Sequence, residues 1–278
     1  MAQLTEQGGK VKLGTQGWNY RDWIGPFYPI GTRAATMLEC YARAFPTVEV
    51  DSTFYGPPAE PVVRGWASCV PESFRFALKV PQQITHERRL VDVAEPLEHF
   101  VARARLLGDR LGPLLLQMPP DWPPTAEAQR ALAAFLPTLP TDLRWAVEFR
   151  DARWLGDETH SMLAAHHVAL ALVEGRWVKR DRMLPLAERP TADFGYVRWM
   201  GPDRHLTTFS RVQVNREREI EAWAAPLTAL SDRVSEVFGY FNNHFQGHSP
   251  ASARAMQQRL GLPSVAPESL RLQEEMFR

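Results

Sequence analysis

The sequence predicts an α/β protein built as one parallel (β/α)8 TIM barrel. Eight short segments alternate strongly apolar positions with a period of two, and most of the stretches between them carry helical periodicity. The length, 278 residues with 45% hydrophobic, is one that such barrels fill as a single domain. A doubly wound open sheet is the rival topology, but eight consecutive strand–helix units favour closure.

In chain order, residues 1–10 form a polar tail and Val11–Gln16 reads as the first strand. Thr32–Phe45 is a helix opening on Thr, and Thr47–Thr53 is a strand with Val48 and Val50 on one face. The helix Pro58–Val70 leads to the strand Arg75–Val80, and Pro96–Leu107 leads to Pro113–Met118. Thr125–Leu136 and Asp157–His167 open on residues suited to an N-cap and flank the strand Arg144–Arg150. Val168–Val173 is the sixth strand; after it, the proline-interrupted Glu174–Asp193 predicts an irregular crossover. Phe194–Met200, the helix Asn215–Leu230, the strand Glu236–Asn242 and the helix Ser249–Leu260 complete the series. The barrel core thus spans about residues 11–262 of one domain, 1–278, and residues 267–278 read as a loosely attached tail.

Composition narrows the function. The formal net charge is zero, so no global field steers the chain to nucleic acid or an anionic membrane. The N-terminus lacks an apolar signal region and no apolar run reaches bilayer length, which predicts a cytoplasmic protein without a membrane partner. Cys40 and Cys69 have no CxxC or Cys/His spacing and read as two buried thiols. No HxH, HExxH, GxGxxG, Walker or GxSxG motif is present, so neither a metal, a nucleotide cofactor nor a serine nucleophile is expected.

Strand phase carries the functional signal. With the apolar positions facing the helices, the barrel interior receives Glu49 and Asp51, Lys79, Gln117, Glu148 and Arg150, and Arg198. At the end of the eighth strand, Asn242 and Asn243 place at least one amide at the mouth. These positions lie at the C-terminal ends of the strands, where barrel enzymes keep their chemistry. Charges inside a barrel must pair or bind a ligand. They therefore form either a self-satisfied ion-pair network or a site.

Lys79 stands out because only four of the 32 basic residues are lysines. Keeping a compact, titratable amine in a strand suits a general base, a Schiff-base nucleophile or a clamp on a carboxylate or phosphate; a simple partner to Glu49 or Glu148 is the plainer alternative. Glu49 and Glu148 suit an acid/base pair, and Glu49, Lys79 and Glu148 are the candidate catalytic set. His86 lies on a loop after the third strand and suits either proton transfer or plain surface exposure. His244 and His248 are equally ambiguous. The first loop carries five aromatics, among them Trp18, which line a pocket or pack as a lid; Tyr55 adds a phenol near the same mouth.

The motifs Gly14–Thr15–Gln16–Gly17–Trp18, Phe27–Tyr28–Pro29, Val48–Glu49–Val50–Asp51–Ser52–Thr53–Phe54–Tyr55, Lys79–Val80, Thr85–His86, Leu116–Gln117–Met118–Pro119–Pro120, Val147–Glu148–Phe149–Arg150, Tyr196–Val197–Arg198 and Phe241–Asn242–Asn243 resemble, in order, the YecE-like family, or domain of unknown function 72. The resemblance implies a TIM barrel and supplies no reaction. Where that family often has Arg-x-His-Gly, this chain has Arg198–Trp199–Met200–Gly201, which puts a histidine-dependent step there in doubt. The leading expectation is a metal-independent hydrolase, lyase or isomerase acting on a small anionic substrate, phosphorylated or carboxylated, held by Lys79, Arg150 and Arg198. The alternatives are a nucleic-acid-processing or nucleic-acid-binding barrel and a non-catalytic ligand-binding protein.

Overall fold

A computed structural model describes residues 10–202 and 206–270. Nine parallel strands run in the spatial order β6-β5-β4-β3-β2-β1-β9-β8-β7. They are β1 Val11–Gln16, β2 Thr47–Val50, β3 Arg75–Lys79, β4 Leu111–Gln117, β5 Trp145–Glu148, β6 Ala169–Leu170, β7 Leu172–Gly175, β8 Phe194–Gly201 and β9 Glu236–Phe241. The terminal members of this order, β6 and β7, are separated in sequence by Ala171 alone. They are one barrel strand interrupted at that residue, whose N–H still donates to Val147 O (2.8 Å). The sheet thus closes as the predicted TIM barrel.

The helices α1 Met37–Ala42, α2 Glu60–Ser68, α3 Ala94–Ala104, α4 Ala126–Phe135, α5 Asp157–Ala165, α6 Arg180–Met183, α7 Glu217–Ser231, α8 Asn243–Gln246 and α9 Ser249–Arg259 accompany the strands. Thr125 caps α4 by accepting from the Ala128 N–H. The sixth crossover is irregular as expected, being the single turn α6 followed by the 3-10 turn Leu184–Glu188. Most boundaries move by a few residues from the sequence reading, and two of the differences bear on the site and the tail. The predicted strand Thr47–Thr53 ends at Val50, because Asp51–Tyr55 turns into a 3-10 helix pinned by the Thr53 hydroxyl to Lys79 O (2.7 Å). Of the predicted C-terminal tail, Leu270 is fully buried, and residues 271–278 lie outside those described.

Two apolar layers follow from strand phase. Outward residues such as Leu13, Val48, Phe76, Leu116, Val147, Trp199 and Phe241 pack beneath the helices. Inside, Ala77, Leu115, Ala146, Ala169 and Ala171 leave room that Phe194, Tyr196, Phe238 and Tyr240 fill. Below this layer Glu236 pairs with Lys12 (3.3 Å) and Arg144. Above it lies the polar cluster at the C-terminal ends. Gly14 is required where β1 meets β2, since a Cβ there would stand 2.0 Å from Thr47 O. Cys40 is buried and Cys69 only half-buried. Among the described residues, no helix is long and apolar enough to cross a membrane.

Candidate functional site

Strand phase delivers Glu49, Glu148, Arg198, Lys79, Gln117 and Arg150 to one end of the barrel. Arg198 lies at its centre. Its Nε and Nη2 donate to the two carboxylate oxygens of Glu49 (2.9 and 2.6 Å), Nη1 donates to Glu148, and Nη2 also faces Asp51 at 3.5 Å. Tyr196 donates its hydroxyl to Glu49 (2.6 Å), and Arg150 joins Glu148 (3.0 Å) to the Gln117 carbonyl (2.7 Å). Because a guanidinium only donates, Arg150 fixes the Gln117 amide so that its NH2 faces His86 Nε2 (3.4 Å). His86 is then the Nδ1–H tautomer, donating to the Thr85 hydroxyl (2.8 Å), which in turn reaches Pro81 O.

Three carboxylates, Glu49, Asp51 and Glu148, thus face three cations, Lys79, Arg150 and Arg198. Their titrations separate by environment. Burial pushes the Glu49 carboxyl up, and the nearby Asp51 charge adds to this; Arg198 and Tyr196 oppose, leaving it at about 7. Burial also acts upward on Glu148, but two guanidiniums, Arg198 and Arg150, outweigh it and hold that carboxyl at about 2. Arg198 stays charged, since its two glutamates overcome its burial. Burial lowers the Lys79 ammonium to about 8, against the attraction of Asp51. His86 is depressed to about 4 by burial and by the charges of Lys79 and Arg150, so it is neutral at physiological pH.

Lys79 differs from the other two cations. Its Nζ lies over the Phe54 ring, 3.8 Å from the centroid, and among the described residues it makes no hydrogen bond or ion pair. The plainer alternative, a simple partner to Glu49 or Glu148, therefore does not describe it. Glu49 and Glu148 are 0% and 1% exposed, whereas the Asp51 side chain is 39% exposed. The groups that face the mouth are thus Lys79 and Asp51, with the glutamates beneath them. Arg198, expected to hold a substrate anion, is 1% exposed and committed to carboxylates. Glu148, expected to exchange protons, is held as a fixed anion by two guanidiniums.

Three other expectations are corrected or divided. The Trp18 ring packs edge-on against Trp66 of α2 and against the outward-facing Phe76, in the helix layer, so it lines no mouth wall. Trp23, Phe27 and Tyr28 of the same loop are fully buried, as a lid would be. Tyr20 is the loop aromatic nearest the cluster: burial, with the charges of Asp51 and Glu49 adding, raises its phenol to about 12. Asn242 donates to Gln16 on the inner face (2.7 Å), but Asn243 accepts from Trp23 and Ser249 and anchors the start of α9. Tyr55 is 80% exposed at the rim, beside Phe54.

Sequence reasoning missed Tyr196, Gln16, Phe54 and Trp177. Tyr196 lies two residues before Arg198 and Gln16 ends β1, so the same phase rule would have found both. Phe54 lies within the unforeseen turn after β2. Trp177 lies beyond β7, where Arg176 stacks on its ring (4.4 Å) and Arg150 approaches it (5.9 Å). These three residues line a narrow recess with Glu148 and Met200. Met200 accepts from Gln16 Nε2 (2.9 Å) through its sulfur. The π-helical turn Gln83–Glu87, which presents His86, is the kind of local departure often found at functional sites.

The comparisons agree with this architecture. A family model described as protein of unknown function DUF72 matches residues 12–274. The UPF0759 protein YunF of Bacillus subtilis is 25% identical over 94% of this chain and 99% of its own length. The UPF0759 protein YecE of Escherichia coli is 30% identical over 56% of this chain and 55% of its own. A DUF72 family protein from Thermotoga maritima, of known structure, aligns with a TM-score of 0.74 at 25% identity, covering 89% of this chain and 97% of that one. The ordered motifs, the closed barrel and this match over residues 12–274 make the chain a member of the DUF72 family.

Proposed function

We propose that the barrel mouth is the active site of an acid–base enzyme, a hydrolase, lyase or isomerase, that acts on a small anionic substrate. The observation that carries this reading is Lys79. It is a desolvated ammonium that, among the described residues, has no carboxylate within ion-pair distance, although Asp51, Glu148 and Glu49 attract it from further off; it stands at the C-terminal end of a barrel strand, in a cluster where both other cations are paired. A purely structural network would have paired it, because an unpartnered buried charge is costly. Perturbed titrations cluster where function needs them.

Lys79 and Asp51 face the substrate. Glu49, titrating near neutrality beneath them, stores or supplies a proton through these two. Moving a proton from Lys79 to Glu49 leaves the cluster's total charge unchanged. Glu148, Arg198 and Arg150 form the fixed electrostatic frame. Arg150 and Arg176, beside Trp177, offer a phosphate or carboxylate a second cationic wall. The balance of three cations against three carboxylates suits a small ligand better than a phosphate backbone.

The test is a panel of sugar phosphates and sugar acids followed by proton and phosphorus NMR with wild type, Lys79→Met, Asp51→Asn and Glu49→Gln. The expected result is turnover or binding in wild type and its loss in Lys79→Met and Asp51→Asn, with folding retained. Unchanged turnover in all three variants would overturn the reading.

A further inference from the structure

We propose that Lys79 engages its substrate covalently, so that the mouth is a Schiff-base site for a small aldehyde or ketone bearing an anionic group. This rests on the mouth being an active site and names the substrate class. The chemistry separates the three cations of the cluster. Arg150 and Arg198 are guanidiniums tied to Glu148 and to both glutamates respectively, and guanidiniums do not add to carbonyls under these conditions. Lys79 is an amine, and its Nζ has no oxygen partner among the described residues.

The setting suits addition. β3 ends at Lys79, and the Thr53 hydroxyl holds its backbone carbonyl (2.7 Å), so the stem is anchored. The Phe54 ring beneath Nζ replaces water on one side. Burial lowers the ammonium to about 8, which gives a usable neutral fraction at physiological pH. Asp51 stands at the same mouth; its Oδ1 is buried, faces Arg198 Nη2 at 3.5 Å and accepts no hydrogen bond among the described residues.

The neutral amine attacks the carbonyl carbon, forming the C–N bond as the C=O π pair moves to oxygen. Asp51 takes the proton leaving nitrogen and returns it to that oxygen, giving a carbinolamine. The nitrogen lone pair then forms C=N as the C–O bond breaks, and the hydroxyl leaves as water with a proton relayed by Asp51. Aldehyde or ketone plus amine becomes imine plus water, with no oxidant or reductant. The substrate's anionic group lies towards Arg150 and Arg176.

The experiment incubates wild-type protein with glyoxylate, pyruvate or dihydroxyacetone phosphate and sodium cyanoborohydride across pH 6–10, then maps the reduced adducts by mass spectrometry. Among the lysines, the competitors of Lys79 are Lys10, Lys12 and Lys179, and the N-terminal α-amine, which also adds to carbonyls, is mapped separately. Lys79 is expected to be labelled at least about tenfold faster than the other three. Its midpoint should lie near pH 8 and rise in Phe54→Ala as water reaches the amine. Equal labelling of all four lysines, or no adduct on Lys79, would overturn the imine. The NMR panel separates the two proposals. Turnover lost in Lys79→Met without any adduct in wild type overturns the imine and leaves the acid–base reading standing; unchanged turnover overturns both. Lys79→Arg gives an independent readout: an imine site loses turnover as fully as in Lys79→Met, whereas a charge clamp retains it in part.

Discussion

Replacing Arg198 by methionine removes the central cation while roughly keeping its volume. The variant loses three hydrogen bonds to Glu49 and Glu148 and the 3.5 Å contact to Asp51. Glu49 keeps only the Tyr196 hydroxyl, and Glu148 keeps only Arg150. Removing one partner of a buried ionic network typically costs about 3–5 kcal/mol, because an uncompensated charge stays in the interior. For a chain of this size that corresponds to a fall in Tm of about 10 °C. The stranded carboxylates will also bind protons more readily, so the loss should be smaller at pH 5 than at pH 7. Urea unfolding followed by tryptophan fluorescence at the two pH values measures both effects. Adding Glu49→Gln in the Arg198→Met background should restore part of the loss, since it removes one stranded charge. A loss below about 1 kcal/mol, or one equal at both pH values, would refute the view of Arg198 as the electrostatic hub.

Glu148 makes the folded state acid-sensitive. Its carboxyl is depressed from 4.5 to about 2, so its contribution is complete above about pH 5 and is lost as pH falls towards 2; Glu148→Gln should flatten stability against pH in that window. Glu49 acts in the opposite sense. Raised to about 7, it favours the fold below 4.5 and costs stability as pH rises to 7, so Glu49→Gln should stabilise the protein at pH 8 relative to pH 4, read by thermal unfolding. His86 should show neutral Nδ1–H imidazole shifts in nitrogen-15 NMR down to about pH 5, and a titration near 6.5 would contradict the Gln117–Thr85 network. Gly14→Ala should cost at least about 1–3 kcal/mol in denaturant unfolding, because the new Cβ has a backbone oxygen in its way.

Much of this was legible because a strand's two-residue period converts sequence directly into direction. Glu49, Glu148 and Arg198 each follow an outward residue, Val48, Val147 and Val197, and that was enough to place them inside. The rule fails where the chain leaves the sheet. Trp18 lies two residues past β1, where Gly17 adopts a positive φ and turns the chain, and the indole goes to the helix layer. Asn243 lies one residue beyond Asn242, and the start of α8 carries it behind the mouth. The division of labour among the charged residues was not readable either. It depends on Glu148 receiving two guanidiniums while Glu49 shares one with Asp51, a difference of partners that no single strand encodes.

The contacts from Tyr196 through Glu49, Arg198, Glu148, Arg150, Gln117 and His86 to Thr85 join four strands and a loop in one hydrogen-bonded belt. A belt of this kind limits how the protein can change. Altering any link leaves its neighbours with unmet donors or acceptors, so a new ligand preference is hard to introduce there. Tyr55 and Trp177 are not links of it, being exposed on loops after strands on different sides of the barrel; Trp177 meets it where Arg150 approaches its ring, and Phe54 where it packs edge-to-face with His86. Libraries that vary those three positions while keeping the belt intact should move ligand preference with little loss of fold.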